Sequence, residues 1–211
     1  MTNDDNSKVR QNASKKKSFK ELTILRDTIF WIDFVGEGQK ENAIFARPFN
    51  DKDAFPQKLT SKKYNIKNNF HGYGGKSFKC INLKNNFYLI WIDQLTKAVW
   101  FQIFRELASN NRSQNKYLYS VQEARQLSKS IEGNFDSSFV ISEKNFFLYG
   151  ICEINNRDYL FSLNLKKTKQ DIHRIKKFKN FAGELSSNTS ARLISWIEWD
   201  SPYMPWEKND L

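Results

Sequence analysis

The stretch "NNFYLIWIDQLTKAVWFQIF" (85–104) holds two apolar runs, 85–93 and 97–104, joined by a short polar connection. Each run is too short for an ordinary helix, is rich in aromatic and β-branched residues, and is bounded by Asn, Asp or Lys. Such runs read as a pair of β-strands with a turn between them. The pairing recurs along the chain: "DTIFWIDF" (27–34) with "NAIFARPF" (42–49), "FFLYGICEI" (146–154) with "RDYLFSLNL" (157–165), and a last run "RLISWIEWD" (192–200). Between 146–154 and 157–165 stand Asn155 and Asn156, residues that tolerate the positive φ of a tight hairpin turn.

The pairs repeat as units. Aligning Trp31, Trp91, Gly150 and Trp196 superposes "FWID", "IWID", "YGIC" and "SWIE" at spacings of roughly 45 to 60 residues. A short closing element follows the second strand: "QKLT" (57–60), "RQLS" (125–128) and, less clearly, "HRI" (173–175). The single segment with helical spacing, "SVQEARQLSKSI" (120–131), has few apolar positions and reads as loop with at most a turn of helix. A module of about four short strands suits a propeller blade, whose broad faces pack on neighbouring blades. On periodicity alone, a sandwich or barrel stays open as the alternative. The expected fold is all-β: a partial β-propeller of about four blades, each an antiparallel four-stranded meander, with the last incomplete. Residues 1–20, rich in Asn, Ser and Lys without apolar periodicity, are expected to form a disordered basic tail before a domain at 21–211.

Composition narrows the function. The net charge of +11 raises the question of nucleic acid. The cations, however, gather at 8–20, 58–67 and 166–179, in the tail and in connections, and lysine far outnumbers arginine, so a solvated basic surface is the better reading. No apolar run approaches the ~20 residues that span a bilayer and no apolar segment follows the Lys-rich N-terminus, so the expectation is a soluble cytoplasmic protein without a membrane partner. Cys80 and Cys152 stand far apart with no C-x-x-C pair, which points to buried reduced thiols and to no metal. No cofactor motif occurs.

Catalytic machinery is equally sparse. There is no G-x-S-x-G elbow. His173, among lysines in "QDIHRIKK", reads as a surface histidine. His71 lies in "YNIKNNFHGYGGKSF" (64–78), where Gly72, Gly74 and Gly75 surround Tyr73. The spacing fails the phosphate-loop pattern, so the segment reads as a structural crossing loop fixed by hydrogen bonds of His71 and Tyr73. Asp33, Asp93, Glu198 and Asp200 fall at strand ends, where carboxylates accept turn N–H groups. No catalytic residue is assigned.

Two segments carry a resemblance. "LTSKKYNIKNNFHGYGGKSF" (59–78) resembles the stretch of prolyl oligopeptidase-like serine peptidases, of the acylaminoacyl-peptidase and dipeptidyl aminopeptidase type, that ends in His-Glu-Tyr-Gly-Gly-Gly; His71, Tyr73, Gly74 and Gly75 match. "LISWIEWDSPYMPWEKNDL" (193–211) resembles that family's W-x-E-W-D-x-P-x-M-P-W stretch through Trp196, Glu198, Trp199, Asp200, Pro202, Met204, Pro205 and Trp206. Gly72, Lys76 and Ser201 depart from it, standing where the family has Glu, Gly and His. The resemblance covers roughly residues 25–211. It implies the N-terminal propeller that restricts access of peptides to a C-terminal α/β-hydrolase domain, whose triad is not among these residues. It further implies that Pro202 and Pro205 stiffen a turn that Trp199 and Trp206 pack. A truncated or split gene product is expected, with a separately encoded α/β-hydrolase half or peptides as partners and self-association through open sheet edges. A non-catalytic propeller-like interaction module is the alternative, using loops 71–78 and 201–209, and a basic nucleic-acid binder using Lys15–Lys17 and Lys166–Lys179 is the third.

Overall fold

The computed structural model describes residues 20–35, 41–51, 53–72, 74–107, 117–188 and 192–208. They form antiparallel sheets arranged in series, with no α-helix among the described residues. The first sheet is a meander of β1 (Lys20–Leu25), β2 (Thr28–Val35), β3 (Glu41–Pro48) and β4 (Gln57–Lys58). In the second, β5 (Phe78–Leu83), β6 (Asn86–Asp93) and β7 (Ala98–Glu106) pair in order, and β7 then pairs both β8 (Leu118–Ser120) and β9 (Arg125–Gln126). In the third, β10 (Gly133–Phe135) and β11 (Val140–Ser142) share the edge of β12 (Phe147–Ile154), followed by β13 (Arg157–Asn164) and β14 (His173–Lys177). The fourth holds β15 (Phe181–Ser187) and β16 (Ile194–Trp199). This is a partial propeller-like fold of about four blades with the last incomplete.

Turn chemistry sets the hairpins. Asn155 and Asn156 adopt φ of 51° and 55°, and Lys84 and Asn85 adopt 46° and 65°. Two consecutive positive φ values make the tight turn whose twist matches the flanking strands.

Strand alternation then sends one face of each sheet to the preceding blade and the other to the next. Phe30, Ile32, Ile44 and Ala46 of the first sheet meet Phe87, Leu89 and Trp91 of the second. Ile90, Ile92, Val99 and Phe101, on the opposite face of the second, meet Phe135, Leu148 and Phe161 of the third. Ile151 and Leu160 meet Ala182, Leu185 and the half-buried Trp196 of the fourth. A sandwich would show two facing layers; the chain shows a row of stacked sheets. The aligned Gly150 breaks the tryptophan series for a steric reason: a Cβ there would lie 2.8 Å from the Phe161 ring and 2.9 Å from Phe139, so neighbouring phenylalanines fill the volume a side chain would need.

The closing elements read from "QKLT", "RQLS" and "HRI" are β4, β9 and β14. Two expectations need correction. The segment 120–131 contains no helical turn; β8 ends and β9 lies within it. The fourth sheet also has a strand that alternation did not reveal, β15, because "FAGELSS" mixes Gly, Glu and Ser with few apolar residues. Residues 1–19, expected as a tail, lie outside the described residues.

Side chains clamp neighbouring sheets together. The Gln57 amide donates to the Leu118 carbonyl at 2.6 Å and accepts the Leu118 N–H at 3.0 Å, mimicking a backbone pair between the first and second sheets. The Arg125 guanidinium donates to the Leu165 carbonyl at 2.8 Å, joining the second to the third. Cys80 and Cys152 are free, buried thiols, and burial pushes both pKa values up.

Candidate functional site

The long connection from β4 to β5 builds the site. Its first half is anchored between the first two sheets. The Thr60 hydroxyl accepts the Ile44 N–H at 2.9 Å. The Tyr64 ring packs edge-on to Trp91 at 5.2 Å and Trp100 at 4.7 Å. Asp93 accepts the Asn65 N–H at 2.8 Å and the Thr96 N–H and hydroxyl at 3.0 and 2.7 Å, which is the strand-end role expected of it.

The second half leaves these sheets and reaches the third and fourth. Asn68 shapes the bend by accepting the N–H groups of Asn69 at 2.8 Å and Phe70 at 3.1 Å and donating to the Lys76 carbonyl at 3.0 Å. Gly74 and Gly75 take φ of +92° and +147°. Only glycine adopts these values without strain, so the Gly-Gly pair serves the backbone. Tyr73 lies outside the described residues.

His71 is the centre of the junction. Its imidazole Nε2 stands 2.8 Å from the Asp158 carboxylate, and the two side chains are 3% and 2% exposed. The same Asp158 oxygen accepts the Ala182 N–H of β15 at 2.7 Å, and the His71 N–H donates to Glu153 at 3.1 Å. One residue of the crossing loop thereby ties β12, β13 and β15 together. Rings close the pocket: Phe70 lies 3.8 Å from the imidazole, Phe181 5.1 Å and Trp199 5.5 Å. The two matching segments of the sequence, far apart along the chain, therefore meet at the contact of His71 with Trp199.

The rest of the second segment divides. Trp199 is buried and stacks on Phe181 at 5.8 Å. Trp196 donates its indole N–H to Glu198 at 2.7 Å, beside the Lys176–Glu198 ion pair at 2.8 Å. Burial pushes the Glu198 carboxyl up, but the bonds from Lys176 and Trp196 and the Lys176 charge outweigh this and hold it below its ordinary value. Glu198 thus serves a cation and an indole and not a turn N–H. Asp200 accepts from the Asn180 amide, and its carbonyl accepts the Tyr203 N–H at 2.9 Å. Pro202 and Tyr203 are exposed, and Met204 and Pro205 are half-buried. Trp206 is 75% exposed, which corrects the expectation that it packs the turn.

A His–Asp pair is two parts of a hydrolytic triad. Here both groups are closed to solvent, and Asp158 is shared with a backbone N–H, so the geometry suits a structural clamp. Sequence reading found His71 but missed Asp158 and Glu153, because an Asp just after an Asn-Asn turn looks like part of the turn. His173 is exposed on β14, as expected.

No protein-family model and no curated protein matches the sequence. Among solved structures, the chain is similar to a puromycin-hydrolyzing peptidase of Mycobacterium tuberculosis, with a TM-score of 0.66 and 15% identity over 92% of this chain and 28% of that one. A structure from a study of two prolyl endopeptidases aligns with a TM-score of 0.47 and 12% identity, over 86% of this chain and 23% of that one. The first likeness shows the fold, and the chain spans a little over a quarter of that peptidase's length. No helix among the described residues is long and apolar enough to cross a membrane.

Proposed function

We propose that the chain is a propeller part of a cytoplasmic serine peptidase of the prolyl oligopeptidase type, in its acylaminoacyl-peptidase or dipeptidyl aminopeptidase branch. In this reading it supplies no catalytic group and limits which peptides reach an α/β-hydrolase domain that carries the triad. The single observation behind the reading is the junction of His71 with Trp199: the residues that resemble the peptidase family are the ones that hold the crossing loop onto the third and fourth sheets. Purified chain incubated with fluorogenic peptides is expected to show no turnover. Turnover that co-purifies with the chain through successive columns and disappears on unfolding would contradict the reading.

A second reading, a non-catalytic module that binds a protein or peptide, draws on one specific feature. Tyr203 and Trp206 are 46% and 75% exposed on the 200–208 turn. Exposed aromatic side chains commonly serve as interface anchors. Binding at this turn should persist in salt. Nucleic-acid binding through the basic stretches would instead fall steeply as salt rises.

A further inference from the structure

The strands that close the sheets differ. β4, β8 and β9, which close the first and second sheets, are two or three residues long. β14 closes the third sheet with five residues, and every one of them is exposed. It pairs with β13 on one side. Among the described residues no strand pairs with its other side, and none of its backbone groups bonds to a backbone outside β13. A free edge of this length is a template for a further strand.

The chemistry of the edge selects what can pair with it. Arg174 stands opposite Phe161 and Lys177 opposite Tyr159, so both flank one face of the sheet, with Arg174 lying 4.7 Å over the Tyr159 ring. His173, opposite Ser162, and Lys176, opposite Leu160, flank the other face, and Ile175 is the extra residue where the register slips. Residues 166–179 hold seven Lys and Arg against one acid, Asp171, and that acid is already held by Lys129 at 2.8 Å. Lys176 is held by Glu198 at 2.8 Å. Arg174 and Lys177 make no ion pair among the described residues, and neither do Lys167, Lys169 and Lys179. Two such edges would set like charges directly opposite one another, which destabilises pairing. The edge therefore rejects another copy of itself and favours a strand that carries carboxylates.

The edge also begins at a cavity. Ile131, Ile154 and Ile172 line a space of about 500 Å³ beside His173, together with Glu132 and the Lys129–Asp171 ion pair. The three isoleucines offer an apolar side chain a place out of water at one end of an otherwise charged edge.

We propose that β14 is the docking edge for an extended acidic peptide. The peptide adds antiparallel to β14 as a further strand of the third sheet, sets carboxylates beside Arg174 and Lys177, and places an apolar side chain at its C-terminal end among the three isoleucines. Main-chain hydrogen bonds supply the pairing, and the flanking cations supply the choice of partner. The edge lies on a different strand from the His71 junction, so the proposal stands or falls apart from the peptidase reading.

Fluorescence anisotropy of the full chain with a labelled, amidated hexapeptide, Glu-Thr-Glu-Asp-Glu-Leu, tests it. Saturable binding of one peptide per chain is expected. Two N-methylated forms of the peptide separate strand pairing from plain charge attraction, because alternate amides of an added strand face β14 and solvent. Methylation of one alternate set should weaken binding about ten-fold or more, and methylation of the other should leave it within about two-fold. Replacing the peptide's leucine by alanine should weaken it about five-fold. Arg174→Glu combined with Lys177→Glu should weaken binding about ten-fold. Lys62→Glu combined with Lys63→Glu makes the same change in net charge on the connection after β4 and should leave binding within about three-fold. Absence of binding, equal losses from the two methylated peptides, or equal losses from the two charge variants would overturn the proposal. So would a single-stranded oligothymidylate that binds more tightly than the peptide and displaces it, which would make the edge a nucleic-acid surface.

Discussion

The second and fourth sheets use nearly the same central strand, "IWID" against "SWIE", with opposite results. Trp91 is fully buried, with sheets on both sides, whereas Trp196 is half-buried and Ser195, beside it, is exposed. The difference lies in the neighbours. In a row of stacked sheets a strand is completed by the next sheet, so the same residues make a core in the interior of the row and a surface at its end.

The largest effects should fall where that completion is greatest. Trp91→Ala is expected to cost about 3–5 kcal/mol of unfolding free energy by urea titration. Trp196→Ala, with one covered side, should cost clearly less, and equal costs would break the comparison. His71→Ala leaves the buried Asp158 carboxylate, among the described residues, with the Ala182 N–H alone, at a cost of about 2–3 kcal/mol by the same titration.

Glu21 and Asp136 sharpen the comparison through pH. Burial, the leading cause, pushes both carboxyls above their ordinary values against the hydrogen bonds they accept. Groups that hold protons more tightly when folded add stability that is complete below the ordinary carboxylate pKa and is lost as pH rises through the raised values. The urea midpoint of Glu21→Gln should therefore lose less than that of the wild type as pH rises across this window. Identical profiles would place the Glu21 carboxyl in solvent. The smallest effect belongs to Trp206→Ala at the open end, within about 0.5 kcal/mol of the wild type by thermal melting.

The long central strands β2, β3, β6, β7, β12 and β13 were legible in the sequence because at least one face of each packs on a neighbouring sheet, and their apolar runs record that burial. The first strands were not. "KELTIL" and "FAGELSS" are edge strands, each broken by a bulge at a positive-φ glutamate, and Glu21 in the first reaches Ser77 of the next sheet, a role no local pattern reveals. The crossing loop was readable from its glycines, whose positive φ is a local demand. Its anchor Asp158 was not, since burial of an aspartate depends on a histidine 87 residues away.

The account stands on the contact between the crossing loop and the fourth sheet, and a double-mutant cycle of His71→Ala and Trp199→Ala measures it directly. Rings 5.5 Å apart in a buried junction should give a coupling of about 1 kcal/mol in unfolding free energy. Costs that add to within about 0.3 kcal/mol would mean that the two segments do not meet.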